Sequence, residues 1–145
     1  MNNPWVRTEE NDFWINLASK DLSKSREFFS RLGFEMNAGH PNANMVSMRI
    51  GNKKVILNLF PAAAFEGFAQ QPVNNTAITT EVLFSLGAAS RAEVDALAIK
   101  AVDAGGSLYG KPGEKDGWMY GCGFVDLDGH RWNVLFMDMN KMPGR

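Results

Sequence analysis

Apolar and polar residues alternate along this chain in two stretches that share one outline. The first opens with Phe13-Trp14-Ile15-Asn16-Leu17, the period-two pattern of a half-buried strand over 12–18. Phe28, Phe29 and Leu32 then follow at helical spacing, with Ser23 as the N-cap candidate and Gly33 as the stop, so a helix is predicted near 23–32. Residues 34–37 read as a short strand and 38–44, rich in Gly, Pro and Asn, as a loop. Residues 45–50, a Gly51-Asn52 turn and residues 53–60 form a hairpin signal.

The second stretch repeats that order. Residues 79–86 read as a strand, and Ser90-Arg91-Ala92-Glu93 is a capping-box pattern. Val94, Leu97, Ala98, Ala101 and Val102 keep helical spacing until Gly105-Gly106. Residues 107–109 make a short strand and 111–117 a polar loop. Residues 118–125 and 131–137 then close a hairpin around Asp126-Leu127-Asp128-Gly129-His130. The order in each stretch is βαβββ, giving module one at about 12–60 and module two at about 78–138 within a single domain of 1–145. A unit of that size cannot bury its apolar face alone, so the two should pair and leave a concavity where function is to be sought. The first and last strands of both modules, near 12–18, 54–60, 79–86 and 131–137, are expected to line that one concavity, with the helices outside. Residues 61–77, with Pro61, Pro72 and Asn74-Asn75, read as a linker, although Phe65 and Phe68 suggest a segment that folds over something apolar.

Composition narrows the function. The 145 residues are 45% hydrophobic and 21% charged, ordinary for a soluble globular protein. With 15 basic and 16 acidic residues and a net charge of -1, no basic stripe appears, which argues against nucleic acid as a partner. No apolar run approaches the roughly 20 residues needed to span a bilayer, so no membrane partner is expected. Residues 1–12 are polar and acidic, unlike a signal peptide. The single Cys122 excludes an internal disulfide and fits a reducing cytoplasm.

Three passages carry a resemblance. Lys20-Asp21-Leu22-Ser23-Lys24-Ser25-Arg26-Glu27-Phe28-Phe29-Ser30-Arg31-Leu32-Gly33-Phe34, then Ala101-Val102-Asp103-Ala104-Gly105-Gly106, then Asp126-Leu127-Asp128-Gly129-His130-Arg131-Trp132 resemble, in that order, segments of the vicinal oxygen chelate superfamily. That superfamily holds glyoxalase I, bleomycin-resistance proteins and extradiol dioxygenases. The resemblance implies an α+β fold of tandem βαβββ modules forming a curved eight-stranded mixed sheet around a pocket, and a homodimer. Metal-dependent members carry a His or Glu on the first and last strand of each module, where imidazole and carboxylate hold a divalent ion. Carried over, those positions fall on Trp14, Leu57, Glu81 and Asn133, with Asn16 or Asn58 offered by a shift of one residue. Only Glu81 is a good ligand, so the resemblance implies a family site without its metal and no cofactor is expected.

Of the candidates, Glu81 is either a pocket carboxylate, acting as general base or ligand anchor, or a strand-end residue meeting solvent. Trp14 either stacks on a planar ligand or fills the core. Asn16 shares its face. Asn133 sits in a hydrophobic strand and needs a hydrogen-bond partner, for which Glu81 is one option. Met119 and Tyr120 line the pocket mouth or pack. His130 stabilises its turn or faces solvent, His40 lies in a loop, and Cys122 reads as a small buried residue. The reading is a small-molecule-binding protein of the glyoxalase/bleomycin-resistance/dioxygenase type, contacting its ligand through Trp14, Asn16, Leu57, Glu81, Asn133 and Tyr120. The alternatives are a metal-dependent lyase, lactoylglutathione lyase-like, or a dioxygenase, and a dimerising scaffold with a filled pocket.

Overall fold

A computed structural model describes residues 13–37, 44–51 and 55–144. His40 and Asn52, named above, lie outside the described residues. The elements run β1 (Trp14–Ser19), α1 (Leu22–Arg31), β2 (Glu35–Met36), β3 (Val46–Ile50), β4 (Val55–Pro61), α2 (Ala62–Ala69), β5 (Leu83–Gly87), α3 (Arg91–Asp103), β6 (Ser107–Lys115), β7 (Met119–Val125) and β8 (Arg131–Met137). They build two four-stranded sheets in the orders β1-β4-β3-β2 and β5-β8-β7-β6. In each, the first strand pairs parallel with the last and the remaining pairs are antiparallel. The fold is α+β with two βαβββ modules, and the eight strands divide between two sheets. Among the described residues no helix is long and apolar enough to cross a membrane.

Several local expectations are corrected. Helix α1 is capped by Asp21, not Ser23: Lys24 N–H donates to the Asp21 carboxylate at 3.1 Å. Starting one turn-position earlier puts Leu22 against the core. At α3, Ser90 is the cap and accepts from Glu93 N–H at 3.1 Å, while the Glu93 carboxylate accepts from Ala89 N–H. The expected linker contains α2, which ends where Gln70 turns left-handed at φ 56°. The expected loop at 111–117 is largely strand: β6 runs to Lys115, with register shifts on either side of Gly110. Pro112, which has no N–H to give to a ladder, lies in the second of them. Strand β5 begins only at Leu83, which leaves Glu81 ahead of it.

Packing explains the division into two sheets. Ile15, Leu17, Val46, Met48, Leu57 and Leu59 of the first sheet and Phe84, Cys122, Phe124, Trp132 and Val134 of the second join one hydrophobic cluster. Helix α1 bridges them, with Phe29 5.6 Å from Trp132 and Phe28 6.2 Å from Phe124 between ring centroids. Helix α3 adds Val94, Ala98 and Ala101. Both sheets therefore turn the same kind of face toward a shared helical layer, and their other faces point away from it. Between the sheets, residues of β1, β4, β5 and β8 line an apolar cavity, as expected, and further cavities open on the outer faces.

One turn joins the modules across the sequence. The buried Asp128 carboxylate accepts Lys20 N–H at 2.8 Å and the Ser25 hydroxyl at 3.0 Å, fixing the entry to α1. Asp126 accepts Asp128 N–H, His130 N–H and Trp132 Nε1–H at 2.9, 3.0 and 3.0 Å. Burial pushes the Asp126 carboxyl up, against the opposing influence of His130 and these donors. Asp128→Ala strands a backbone donor and a buried hydroxyl, so urea unfolding should show a loss of about 3 kcal/mol at unchanged m, whereas exposed Asp103→Ala should cost under about 0.5 kcal/mol. Equal effects of the two variants would show that the turn does not hold the modules together.

Candidate functional site

On the outer face of the first sheet, Trp14, Asn16, Ile56, Asn58 and Phe60 line a cavity of about 340 Å³, with Phe68 of α2 as a further wall. Phe68 meets Phe60 edge-on at 5.1 Å. The period of two that buries Ile15, Leu17, Leu57 and Leu59 is what sends their neighbours outward. Trp14 is 58% exposed, so it belongs to this face and not to the core. Asn58 Nδ2 donates to Asn16 Oδ1 at 3.2 Å. Asn58 Oδ1 is buried and has no partner among the described residues.

The outer face of the second sheet carries a cavity of about 350 Å³ lined by Tyr109, Gly121, Gly123, Asn133 and Leu135. The Tyr109 hydroxyl donates to Asn133 Oδ1 at 2.6 Å, so the polar partner that Asn133 requires is Tyr109. The Arg131 guanidinium lies 4.7 Å from the Tyr109 ring centroid. A side chain at Gly123 would sit 2.3 Å from that ring, so only glycine lets the phenol lie flat on the sheet.

Strand register identifies the equivalent positions of the two modules. Asn16 pairs with Asn58 and Ser85 with Asn133. Asn16 and Ser85 each stand six residues ahead of their helix. Asn16, Asn58, Ser85 and Asn133 are therefore equivalent positions of the two modules, whereas Trp14, Leu57, Glu81 and Asn133 are not. Three amides and a hydroxyl are neutral donors, and such a set does not fit a divalent ion that must be held against water. Among the described residues no group of three or more His, Cys, Asp or Glu side chains is placed to hold a metal.

The remaining candidates scatter. Leu57 is 1% exposed and faces inward, where it lines an apolar cavity of about 320 Å³ with Ile15, Phe84 and Trp132. Tyr120 turns to α3, its hydroxyl donating to Asp95 at 2.7 Å, with the Arg91 guanidinium 5.7 Å from its ring centroid. Glu81 lines a third outward cavity together with Asn16 and His130. Trp14 and Asn16 thus come together, as do Asn16 and Glu81, while Leu57, Asn133 and Tyr120 stand apart. His130 serves its turn and also lines a cavity. The Cys122 thiol is buried 3.9 Å from the Val94 carbonyl, and burial pushes its ionisation up, as suits a packing residue. Asn58 was legible in the alternation of 55–60. Tyr109 and Ser85 were not, because their roles depend on which strands lie side by side within the second sheet.

Among solved structures, the hypothetical protein SA1046 from S. aureus is 35% identical, with 88% of this chain and 93% of that one covered and a TM-score of 0.77. A glyoxalase-related enzyme from Fulvimarina pelagi is 18% identical over 88% of each chain, TM-score 0.74. A glyoxalase/bleomycin resistance protein/dioxygenase family enzyme from Burkholderia phytofirmans PsJN is 17% identical over 88% of this chain and 99% of that one, also at 0.74. No protein-family profile matches the chain, and no curated protein matches its sequence. The fold is that of the vicinal oxygen chelate, or glyoxalase/bleomycin resistance protein/dioxygenase, superfamily. Within that fold the chain belongs to one family with the S. aureus protein.

Both tyrosine hydroxyls are harder to ionise than usual, Tyr109 through burial and Tyr120 chiefly through its bond to Asp95. The native state then holds more protons than the unfolded chain above about pH 10, so this contribution is complete below that pH and is lost as pH rises through the native values. Thermal unfolding should show stability falling more steeply above about pH 10 in the parent than in a Tyr109→Phe, Tyr120→Phe variant. Identical slopes would contradict the raised hydroxyls.

Proposed function

We propose that this protein binds a small organic molecule on the outer face of its sheets, without a tightly held divalent metal. The observation that carries the reading is the Asn16–Asn58 amide pair in the first sheet's outer cavity, which offers directional hydrogen bonds where a divalent ion would need anionic or imidazole ligands. Beside it stand Trp14, Phe60 and Phe68, suited to cover a planar or apolar body. The buried, unpartnered Asn58 Oδ1 supports a ligand that donates a hydrogen bond there. Elsewhere on the chain, no nucleophile with its base is seen among the described residues, and binding without catalysis is the reading adopted.

The same reading includes a homodimer in the cytoplasm. Phe13, Leu83 and Met137 are 68%, 52% and 45% exposed, apolar side chains that a second copy would cover. Light scattering should give the dimer mass at micromolar concentration; a monomer mass would refute the pairing.

Elemental analysis of purified protein should find no stoichiometric zinc, nickel, iron or manganese after dialysis against chelator. Native mass spectrometry should reveal a retained small molecule, and Asn58→Leu should reduce its occupancy about tenfold while leaving the unfolding midpoint within a few degrees. One metal per chain surviving dialysis would overturn the reading and favour a metal-dependent lyase or dioxygenase.

A further inference from the structure

Glu81 and His130 meet in a cavity that lies on neither sheet face. It measures about 330 Å³ and forms where the end of β1, helix α2, the 71–82 segment and the turn before β8 converge. It adjoins the first sheet's outer cavity at Asn16, which lines both. Phe65, Ala69 and Val82 supply apolar surface, Thr79 and Thr80 supply hydroxyls, and Glu81 supplies the one formal charge, since no Lys or Arg is among the described lining residues.

Existing bonds decide what these groups still have to offer. His130 Nε2 lies 3.2 Å from the Ala18 carbonyl oxygen, which can only accept. Nε2 is therefore the ring nitrogen that donates in this contact. The Thr76 hydroxyl is already committed to the Asp128 carbonyl. The Thr79 hydroxyl is likewise bonded to the Asn75 carbonyl, which leaves the Glu81 carboxylate as the one anionic acceptor, with the Thr80 hydroxyl and the Gln71 and Asn74 amides beside it. An anion would meet Glu81 with nothing to offset it, and an uncharged ligand would leave the carboxylate without a counter-charge.

We infer that this cavity is a second ligand site, for a small organic cation whose ammonium group donates to Glu81 and whose short apolar body packs on Phe65. The site is independent of whether the sheet faces bind their own ligand. Its volume stands at the lower end of the range for small-molecule sites, which suits a compound of one ring or a short chain.

The test uses three near-isosteric probes: phenethylammonium, 2-phenylethanol and 3-phenylpropionate. Amide chemical shifts of the full-length protein are followed during titration with each. Phenethylammonium should saturate and move the resonances of residues 79–82 and His130. The alcohol should bind about fivefold more weakly and the carboxylate weaker still. In Glu81→Gln, an exposed position whose change leaves the core untouched, the preference for the cation over the alcohol should vanish, while the exposed and distant Asp103→Asn should keep it. Equal binding of the three probes, an undiminished preference in Glu81→Gln, shifts confined to Trp14 and Asn58, or no saturation by about 10 mM phenethylammonium would each overturn the inference.

Discussion

The paired carboxylates of the Asp126-Leu127-Asp128-Gly129-His130 turn are the constraint on which the rest of the structure depends. Asp126 closes the turn on itself and anchors the Trp132 indole, the largest side chain in the core. Asp128 reaches across more than a hundred residues to the Lys20 amide and the Ser25 hydroxyl. Ser25 is itself hydrogen-bonded to Ser19 at 2.9 Å. A buried carboxylate is costly unless its oxygens are met by donors, so each bond here also excludes arrangements in which the modules sit differently. With α1 held at its start, Phe28 and Phe29 can only pack where Phe124 and Trp132 wait.

That packing has a consequence for chemistry. Because the shared core takes one face of each sheet, everything polar at the opposite positions is delivered to the outside. Asn16, Asn58, Ser85 and Asn133 occupy matching places on matching strands, yet Asn16 and Asn58 line one outer cavity, Asn133 another, and Ser85 borders the inner apolar one. Neutral amides and a hydroxyl in such places recognise by hydrogen-bond direction rather than charge. Tyr109, lying on the bare surface of Gly123, takes up the Asn133 amide oxygen.

Helix α2 stands between two of the cavities. Phe65 lines the one with Glu81 and His130, and Phe68 lines the one with Trp14 and Asn58. No residue of this helix is buried and no side chain caps its start. Its hold on the fold is the Phe60–Phe68 contact and the Glu66 carboxylate, which accepts Val73 N–H at 2.9 Å. An element with so little burial contributes shape to both cavities while adding little to the core.

Local pattern alone determined the two βαβββ modules, their order and which residues share a face, because alternation and helical spacing are readable within a few residues. The positions of α1 and α3, the hairpin turns and the α+β class followed from that. Asn16 was legible as a strand residue out of step with its apolar neighbours, and Asn133 as an amide that needed a partner. Only the tertiary structure decided that Leu57 belongs to the core, that Glu81 precedes its strand, and that Tyr120 turns away to Asp95. It also decided which face of each sheet is covered, since a period of two marks two faces without saying what lies against either. That choice rests on aromatic contacts between α1 and the second sheet and on Asp128, all of them between residues far apart in the chain. A pattern confined to neighbours cannot contain it.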